Sequence, residues 1–171
     1  MKDTLHRRSP RAAGLARILV AALALALLAS ARADDRRRRA DAPPLLPAYA
    51  QECGACHLAY PPGLLPAASW QRLMSNLPRH YGSDASLDAA AHEAIARWLQ
   101  QHAGSSRRLR GDATPPPEDR ISRAPWFLRK HRKVPARIWS HPEVRSAARC
   151  EACRQGAARG DFDDHAVRLP R

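Results

Sequence analysis

The chain has 171 residues, of which 29 are basic and 16 acidic, and its formal net charge is +13 at pH 7. Such a basic balance is typical of nucleic-acid-binding proteins, but the arginines are scattered without interleaved aromatic residues, which make up only 5% of the chain. We therefore exclude nucleic acid and expect a surface that meets an acidic protein or an anionic lipid surface, or one that is simply solvated. The 15 prolines and few aromatic residues also predict a modest polypeptide core.

Residues 1–33 have the organisation of a secretory signal peptide. Five basic residues precede an apolar run from Ile18 to Ala29, and Ala31-Arg32-Ala33 supplies an A-x-A cleavage site. The run is shorter than the about 20 apolar residues of a transmembrane helix, and an uncleaved N-terminal anchor is the alternative. Cleavage removes six basic residues and one acidic residue, so the net charge falls from +13 to +8. We expect an exported, periplasmic protein whose association with membranes is peripheral at most.

Residues 34–47 form a basic and proline-rich segment, with arginine at every position from 36 to 39. This composition predicts a disordered leader. The mature chain of about 138 residues is long enough for one compact domain.

The next segment, Cys53-Gly-Ala-Cys56-His57, has the C-x-x-C-H spacing by which c-type haem is attached. The two thiols can reach the two vinyl groups along one porphyrin edge, and the following imidazole then lies beneath the iron. This predicts Cys53 and Cys56 as the attachment residues and His57 as the proximal iron ligand. Covalent haem attachment occurs outside the cytoplasm, which agrees with the signal peptide. A buried haem would also supply apolar surface that the chain lacks.

Two helices are predicted after this motif. The first is capped by Ser69 and carries Trp70, Leu73, Met74 and Leu77 at helical spacing. The second is capped near Ser86 and ends before Gly104, with the turn Gly82-Ser83-Asp84 between the two helices. Met74 lies on the apolar stripe of the first helix, so we expect it to pack there rather than to bind iron. Residues 105–118 read as a polar, proline-rich linker loop, and the absence of strand alternation predicts a mainly α protein with long loops.

A second pair of cysteines, Cys150 and Cys153, repeats the spacing of the first, but Arg154 stands where a haem site requires histidine. A guanidinium stays protonated and has no lone pair to offer a metal. The sequence therefore predicts a second haem attachment site that lacks its proximal ligand. A single base change converts a histidine codon to an arginine codon.

From about Tyr49 to Pro170 the chain resembles the dihaem cytochrome c family of exported bacterial electron carriers. The resemblance rests on the two cysteine motifs and on several segments around them: Tyr60-Pro61-Pro62, Leu64-Leu65-Pro66, Trp70, His80-Tyr81-Gly82, Asp84-Ala85-Ser86-Leu87, Trp126-Phe127, Lys130-His131-Arg132, Trp139 and Gly160-Asp161-Phe162. It implies a two-lobed, mainly helical protein with one haem c in each lobe. The implied lobes are residues 48–104 and 119–171, joined by the linker 105–118.

The resemblance also implies that each iron is held by two histidines, with His80 opposite His57 on the first haem and His131 on the second. His80 lies 23 positions after His57, and His131 lies 22 positions before Cys153. Exchange of these ligands between lobes and a surface or hydrogen-bonding role for either histidine remain the alternatives. His141 and His165 lie within reach of the degenerate second site and are possible replacement ligands, although each is more often a surface residue.

Two-histidine ligation implies a low-potential haem with no open position for substrate. The resulting hypothesis is a non-enzymatic, periplasmic electron carrier between a membrane cytochrome or other quinol-linked donor and a soluble cytochrome acceptor. One alternative is a haem enzyme or a gas- or peroxide-binding protein with an open second haem. Another is a zinc or thiol protein that uses both cysteine pairs, which would leave His57 unexplained.

Overall fold

The computed structural model describes residues 43–105, 109 and 113–171. The predicted signal peptide, residues 34–42 of the predicted leader and part of the predicted linker lie outside these residues. Pro43–Arg171 forms one compact unit. The regular elements of the described residues are α-helices and short 3-10 turns, without a β-strand, so the prediction of a mainly α protein with long loops is confirmed. The division into two lobes stays a prediction.

The described residues contain five α-helices. They are α1 (Pro47–Gly54), α2 (Ala67–Met74), α3 (Ala89–His102), α4 (Pro125–His131) and α5 (Ala136–Trp139). Proline occupies the first turn of α1 and α4, where its missing N–H costs no helical hydrogen bond. The 3-10 turns lie at Pro62–Leu64, Leu77–Arg79, Pro117–Asp119, Ile121–Arg123, Cys150–Ala152, Ala157–Arg159 and Asp164–Ala166.

The helix starts differ from the predicted ones. Helix α2 begins after Pro66, and Ser69 is buried within its first turn instead of capping it. Helix α3 begins after Asp88, whose carboxylate accepts a hydrogen bond from the Ala91 N–H at 2.9 Å. Aspartate is a strong N-cap because its oxygen satisfies an amide that has no partner within the helix. The predicted stop at Gly104 agrees with the structure, since α3 ends at His102 and Gly104 has a φ of +65°.

Helices α2 and α3 pack against each other over the principal apolar core. This core consists of Tyr49, Leu65, Trp70, Met74, Leu77, Ile95 and Leu99. Met74 is 7% exposed, so the expectation that it packs in the core is confirmed. The chain beyond residue 119 buries fewer large side chains, chiefly Phe127, Ile138 and Val144. A search of the described helices for a membrane-spanning length of apolar residues finds none.

Candidate haem sites

The CxxCH motif, Cys53 to His57, lies at the C-terminal end of α1. Cys53 belongs to the last turn of the helix, while Cys56 and His57 follow it and are exposed. The His57 N–H donates to the Cys53 carbonyl at 3.4 Å, so the chain continues to turn after the helix ends. This turn brings both thiols and the imidazole into one short loop.

His57 and His80 face each other although 23 residues separate them in the chain. Their ring centroids lie 6.0 Å apart and their ring planes differ by 24°. Two imidazole–metal bonds of about 2.0 Å, with a ring radius of about 1.1 Å at either end, place the centroids of two opposed ligands about 6 Å apart. The two rings therefore have the separation that two axial ligands of one metal require. This arrangement fits the predicted ligand pair of the first haem.

The orientation of His57 is set by two neighbours. Its Nδ1 lies 2.7 Å from the Leu58 carbonyl oxygen, and its ring stacks on Tyr60 with centroids 5.2 Å apart. A hydrogen bond from Nδ1–H to a carbonyl places the proton on Nδ1 and leaves the Nε2 lone pair for a metal. His57 is thus held as a metal-binding tautomer.

A tight turn presents His80. The 3-10 turn Leu77–Arg79 leads into His80, and Tyr81 and Gly82 follow with φ values of +51° and +98°. Burial lowers the pKa of His80, and the neighbouring His57 and Arg120 side chains lower it further. A neutral imidazole is the form that can bind a metal. The position and the environment of His80 therefore both suit a ligand.

An open groove of about 650 Å³ lies beside this pair. His80, Tyr81 and Leu73 line it, but Cys53, Cys56 and His57 do not. The groove belongs to the His80 side alone, so the facing imidazoles, and not this cavity, define the candidate site.

The second cysteine motif has a similar loop with a different side chain at its end. Cys150 begins a 3-10 turn, and the Arg154 N–H donates to the Cys150 carbonyl at 2.9 Å. His57 makes the same contact, between the fifth residue and the first residue of the motif, in the first site. The backbone therefore places Arg154 where the proximal histidine belongs.

Arg154 uses its guanidinium to hold the C-terminal segment. Its Nη1 donates to the carbonyls of Phe162 and Asp163 at 2.8 and 3.1 Å, and its Nη2 donates to the Asp164 carboxylate at 2.8 Å. The Arg154 side chain is only 12% exposed, and Lys130 also pairs with Asp164. The Arg168 N–H completes the contact by donating to the Cys153 carbonyl at 2.9 Å. Arg154 thus acts as a clip that ties the end of the chain to the second cysteine loop.

His131 lies close to this loop. Its Nδ1 is 2.8 Å from the Phe127 carbonyl, and its ring stacks on Phe127 with centroids 3.9 Å apart. Burial lowers the pKa of His131, and the charge of Arg154 acts in the same direction. The hydrogen bond through Nδ1 leaves Nε2 of His131 available to a metal, as it does in His57. Among the described residues, the rings in contact with His131 are those of Phe127 and Trp139.

The two possible replacement ligands differ in their contacts. In His141, Nδ1 accepts from the Glu143 N–H at 3.2 Å and Nε2 lies 3.1 Å from the Arg171 carbonyl. Both ring nitrogens are thus engaged. His165 is exposed and belongs to the segment that Arg154 holds. His165 is therefore the more accessible of the two histidines.

Burial raises the pKa of the Cys53 thiol to about 11 and that of the Cys150 thiol to about 11. Buried thiols of this kind are poor nucleophiles and poor metal ligands because the thiolate is the reactive form. Among the described residues, no group of three or more histidine, cysteine or acidic side chains is arranged to hold a metal ion. Neither observation favours the zinc or thiol alternative.

Tyr60 connects the two sites, a role that the sequence analysis did not assign. Its ring stacks on His57, and its hydroxyl donates to the Ala148 carbonyl at 2.7 Å, two residues before Cys150. Tyr49 in turn donates to the Tyr60 carbonyl at 2.7 Å. The signal available in the sequence was only a tyrosine three positions after the haem-motif histidine. The partner lies 88 residues further along the chain.

Comparison with known proteins agrees with this site. The family model described as dihaem cytochrome c matches residues 49–162. A diheme cytochrome c from Rhodobacter sphaeroides is 47% identical with a TM-score of 0.62, covering 68% of this chain and 96% of that one. Another from Shewanella baltica is 36% identical with a TM-score of 0.62, covering 72% of this chain and 92% of that one. Comparison with curated proteins found no match. Because the family model spans more than half of the chain, this protein belongs to the dihaem cytochrome c family, whose cofactor is haem c.

Proposed function

We propose that this protein is a periplasmic electron carrier that passes electrons from a membrane cytochrome or other quinol-linked donor to a soluble cytochrome acceptor, and that it is not an enzyme. The observation that carries the proposal is the opposed pair His57 and His80, 6.0 Å apart. Cys53 and Cys56 would attach the first haem, and the two histidines would occupy both axial positions of its iron. Haem c supplies reversible one-electron oxidation and reduction. Two imidazole ligands leave no position for a substrate.

The test of this proposal is the spectrum of the His80→Ala variant, made in a bacterial host that attaches c-type haem. We expect a low-spin first haem in the natural chain and a high-spin, carbon monoxide-binding first haem in the variant. His92→Ala is the matched control, because His92 is a partly buried histidine that contacts the Met74 carbonyl at 3.0 Å and does not face His57. An unchanged spectrum in His80→Ala would contradict the ligand assignment, and His131→Ala would then be measured.

A second candidate function applies to the Cys150 and Cys153 site. Arg154 donates hydrogen bonds to the 162–164 segment, and among the described residues the rings in contact with His131 are those of Phe127 and Trp139. A haem attached there would be held by two thioethers and His131, with one axial position open to oxygen, nitric oxide or peroxide. This arrangement is the basis for a ligand-binding role.

Haem content and carbon monoxide binding separate these two functions. A second haem that binds carbon monoxide in the natural chain would support the ligand-binding role. His165→Ala tests whether His165 closes the open position: if the natural second haem is low-spin and becomes high-spin only in this variant, His165 is the replacement ligand. If all attached haems are low-spin and inert to carbon monoxide in both the natural chain and His165→Ala, the ligand-binding role is contradicted. Electron transfer is then the function that remains.

A further inference from the structure

The segment around α4 and α5 concentrates positive charge. Residues 124–142 include five basic residues and no acidic residue. Arg129, Arg132, Lys133 and Arg137 are exposed, and none of them forms a salt bridge in the part of the chain that the structure describes. We call these four residues the basic patch. The fifth basic residue, Lys130, pairs with Asp164.

Several arginines outside the basic patch pair with carboxylates. Arg72 pairs with Asp119 at 2.6 Å, Arg97 pairs with Glu93, and Arg120 and Arg123 both pair with Glu118. Their charges are largely compensated within the chain. Exposed arginines elsewhere, such as Arg79 and Arg159, also lack a salt bridge among the described residues. The basic patch therefore stands out because its four uncompensated cations are concentrated between positions 129 and 137.

An exposed apolar side chain adjoins the patch. Leu128 is 58% exposed, although it belongs to α4, which buries Phe127. Leu128 and Arg132 are four residues apart, and Arg132 retains helical backbone angles at the end of α4, so the two side chains share a face. An exposed apolar residue bordered by unpaired charges is the usual composition of a protein-binding surface, with an apolar centre and a polar rim.

The same helix carries the candidate haem ligand His131. The basic patch flanks this residue on both sides in the sequence, from Arg129 to Arg137. The favourable effect of cations at a helix C-terminus accounts for Arg129, but Lys133 and Arg137 lie beyond the end of α4. Their placement around a candidate redox centre calls for another explanation.

We propose that Leu128 and the basic patch form the docking surface for a redox protein with an acidic face around its own redox centre. This inference rests on the proposed electron-transfer function. The unpaired cations would steer the partner and accelerate the encounter, and Leu128 would fill the apolar centre of the contact. A lipid surface is less suitable because α4 has seven residues, and membrane-surface helices present a longer apolar face.

The test measures association with immobilised flavodoxin, used as an acidic redox protein, at about 0.01 M and about 0.15 M ionic strength, where the screening length falls from about 30 Å to about 8 Å. We expect Lys133→Gln/Arg137→Gln to weaken association about tenfold at the lower ionic strength. Arg97→Gln/Arg159→Gln is the matched control, since it removes the same charge outside the patch and should change the affinity less than about twofold. Leu128→Gln should weaken binding without altering its dependence on salt.

The outcomes distinguish the surface from the function. If both double variants weaken association with flavodoxin equally, the basic patch is not the docking surface, and the weakening reflects net charge alone. Binding to phosphatidylglycerol vesicles at about 0.15 M ionic strength, lost in Lys133→Gln/Arg137→Gln while flavodoxin binding stays unchanged, would instead identify a lipid-binding surface. Reduction by the neutral lumiflavin semiquinone checks the haem itself. If that reagent fails to reduce the natural protein, the electron-transfer function fails irrespective of the docking result.

Discussion

The two cysteine loops of this protein share one backbone hydrogen bond and differ in the interactions of their last side chain. In both loops the fifth residue donates its N–H to the carbonyl of the first cysteine, at 3.4 Å for His57 and 2.9 Å for Arg154. His57 is held through Nδ1, and its ring centroid lies 6.0 Å from that of His80. Arg154 turns its guanidinium toward the chain and holds residues 162–164.

The comparison teaches that losing a metal ligand does not require losing the site that surrounded it. Arg154 donates to two backbone carbonyls and one carboxylate. The loop therefore interacts with its own C-terminal segment through the residue that stands where a haem ligand is expected. His131 keeps the Nδ1 hydrogen bond that is typical of a metal-binding histidine. The second site thus has two candidate attachment cysteines and one candidate ligand, and Arg154 stands where the first site has His57.

The largest expected effect follows from restoring that side chain. In a host that attaches c-type haem, we expect the natural chain to carry less than one second haem per molecule, because the attachment machinery recognises the histidine as well as the thiols. Arg154→His should raise the content to two covalent haems. Intact-protein mass spectrometry counts them directly. Arg154→Lys is the control, since it changes the residue without supplying an imidazole.

Two results would contradict this prediction. Two covalent haems on every natural chain would mean that attachment does not need a histidine at position 154. One haem in both the natural chain and Arg154→His would mean that the second site has lost more than its proximal ligand.

The clip formed by Arg154 predicts a smaller, local effect on the C-terminal segment. Arg154→Met keeps a long side chain but removes the hydrogen bonds to Phe162, Asp163 and Asp164. We expect amide exchange at Arg168, whose N–H bonds to the Cys153 carbonyl, to become at least about tenfold faster, which corresponds to about 1.4 kcal/mol of local stability. Hydrogen exchange followed by mass spectrometry measures this. Unchanged protection of residues 162–168 would show that the segment is held without Arg154.

The bridge between the two sites predicts a further difference. Tyr60→Phe keeps the ring on His57 but removes the hydrogen bond to the Ala148 carbonyl, and we expect a loss of about 1 kcal/mol in the free energy of unfolding. Tyr81→Phe is the control, because it removes a similar 2.7 Å hydrogen bond, to the Glu118 carbonyl, that does not involve the second cysteine loop. Only Tyr60→Phe should speed amide exchange near Cys150. Equal exchange there in both variants would remove the role of Tyr60 as a connection.

The smallest effect concerns the charge pairs that support the first site. Burial acts to raise the pKa of Asp119, but hydrogen bonds led by that from Arg72 outweigh it and hold the pKa below its ordinary 3.8. A lowered folded-state pKa contributes stability that is present above 3.8 and is lost as the pH falls through the folded value. Asp119→Asn should lower the free energy of unfolding by only about 0.5 kcal/mol at neutral pH, as expected for a solvent-screened pair, and by nothing at a pH well below 3.8. Denaturant unfolding at both pH values checks this, and a pH-independent difference would assign the loss to packing.

Much of the first site could be predicted from residues that are close in the chain. The spacing of Cys53, Cys56 and His57 sets which atoms reach a porphyrin edge. The apolar stripe of Trp70, Leu73 and Met74 predicted a helix with Met74 in the core, and Met74 is buried. The helix boundaries were less predictable. Helix α2 begins after Pro66 and not at Ser69, and α3 is capped by Asp88, two residues after the predicted Ser86. Ser69 is buried, so it cannot act as an exposed cap.

The sequence by itself predicted the haem c attachment motif and showed the missing histidine at position 154, because both depend on residue type and short spacing. Only the tertiary structure decided the interactions between distant residues. The approach of His80 to His57, the bridge from Tyr60 to Ala148 and the clip from Arg154 to Asp164 each depend on how loops without periodic patterns return to the core. Local propensity carries no information about such returns, since the chain pays their loop-closure entropy only when packing and hydrogen bonds elsewhere compensate for it.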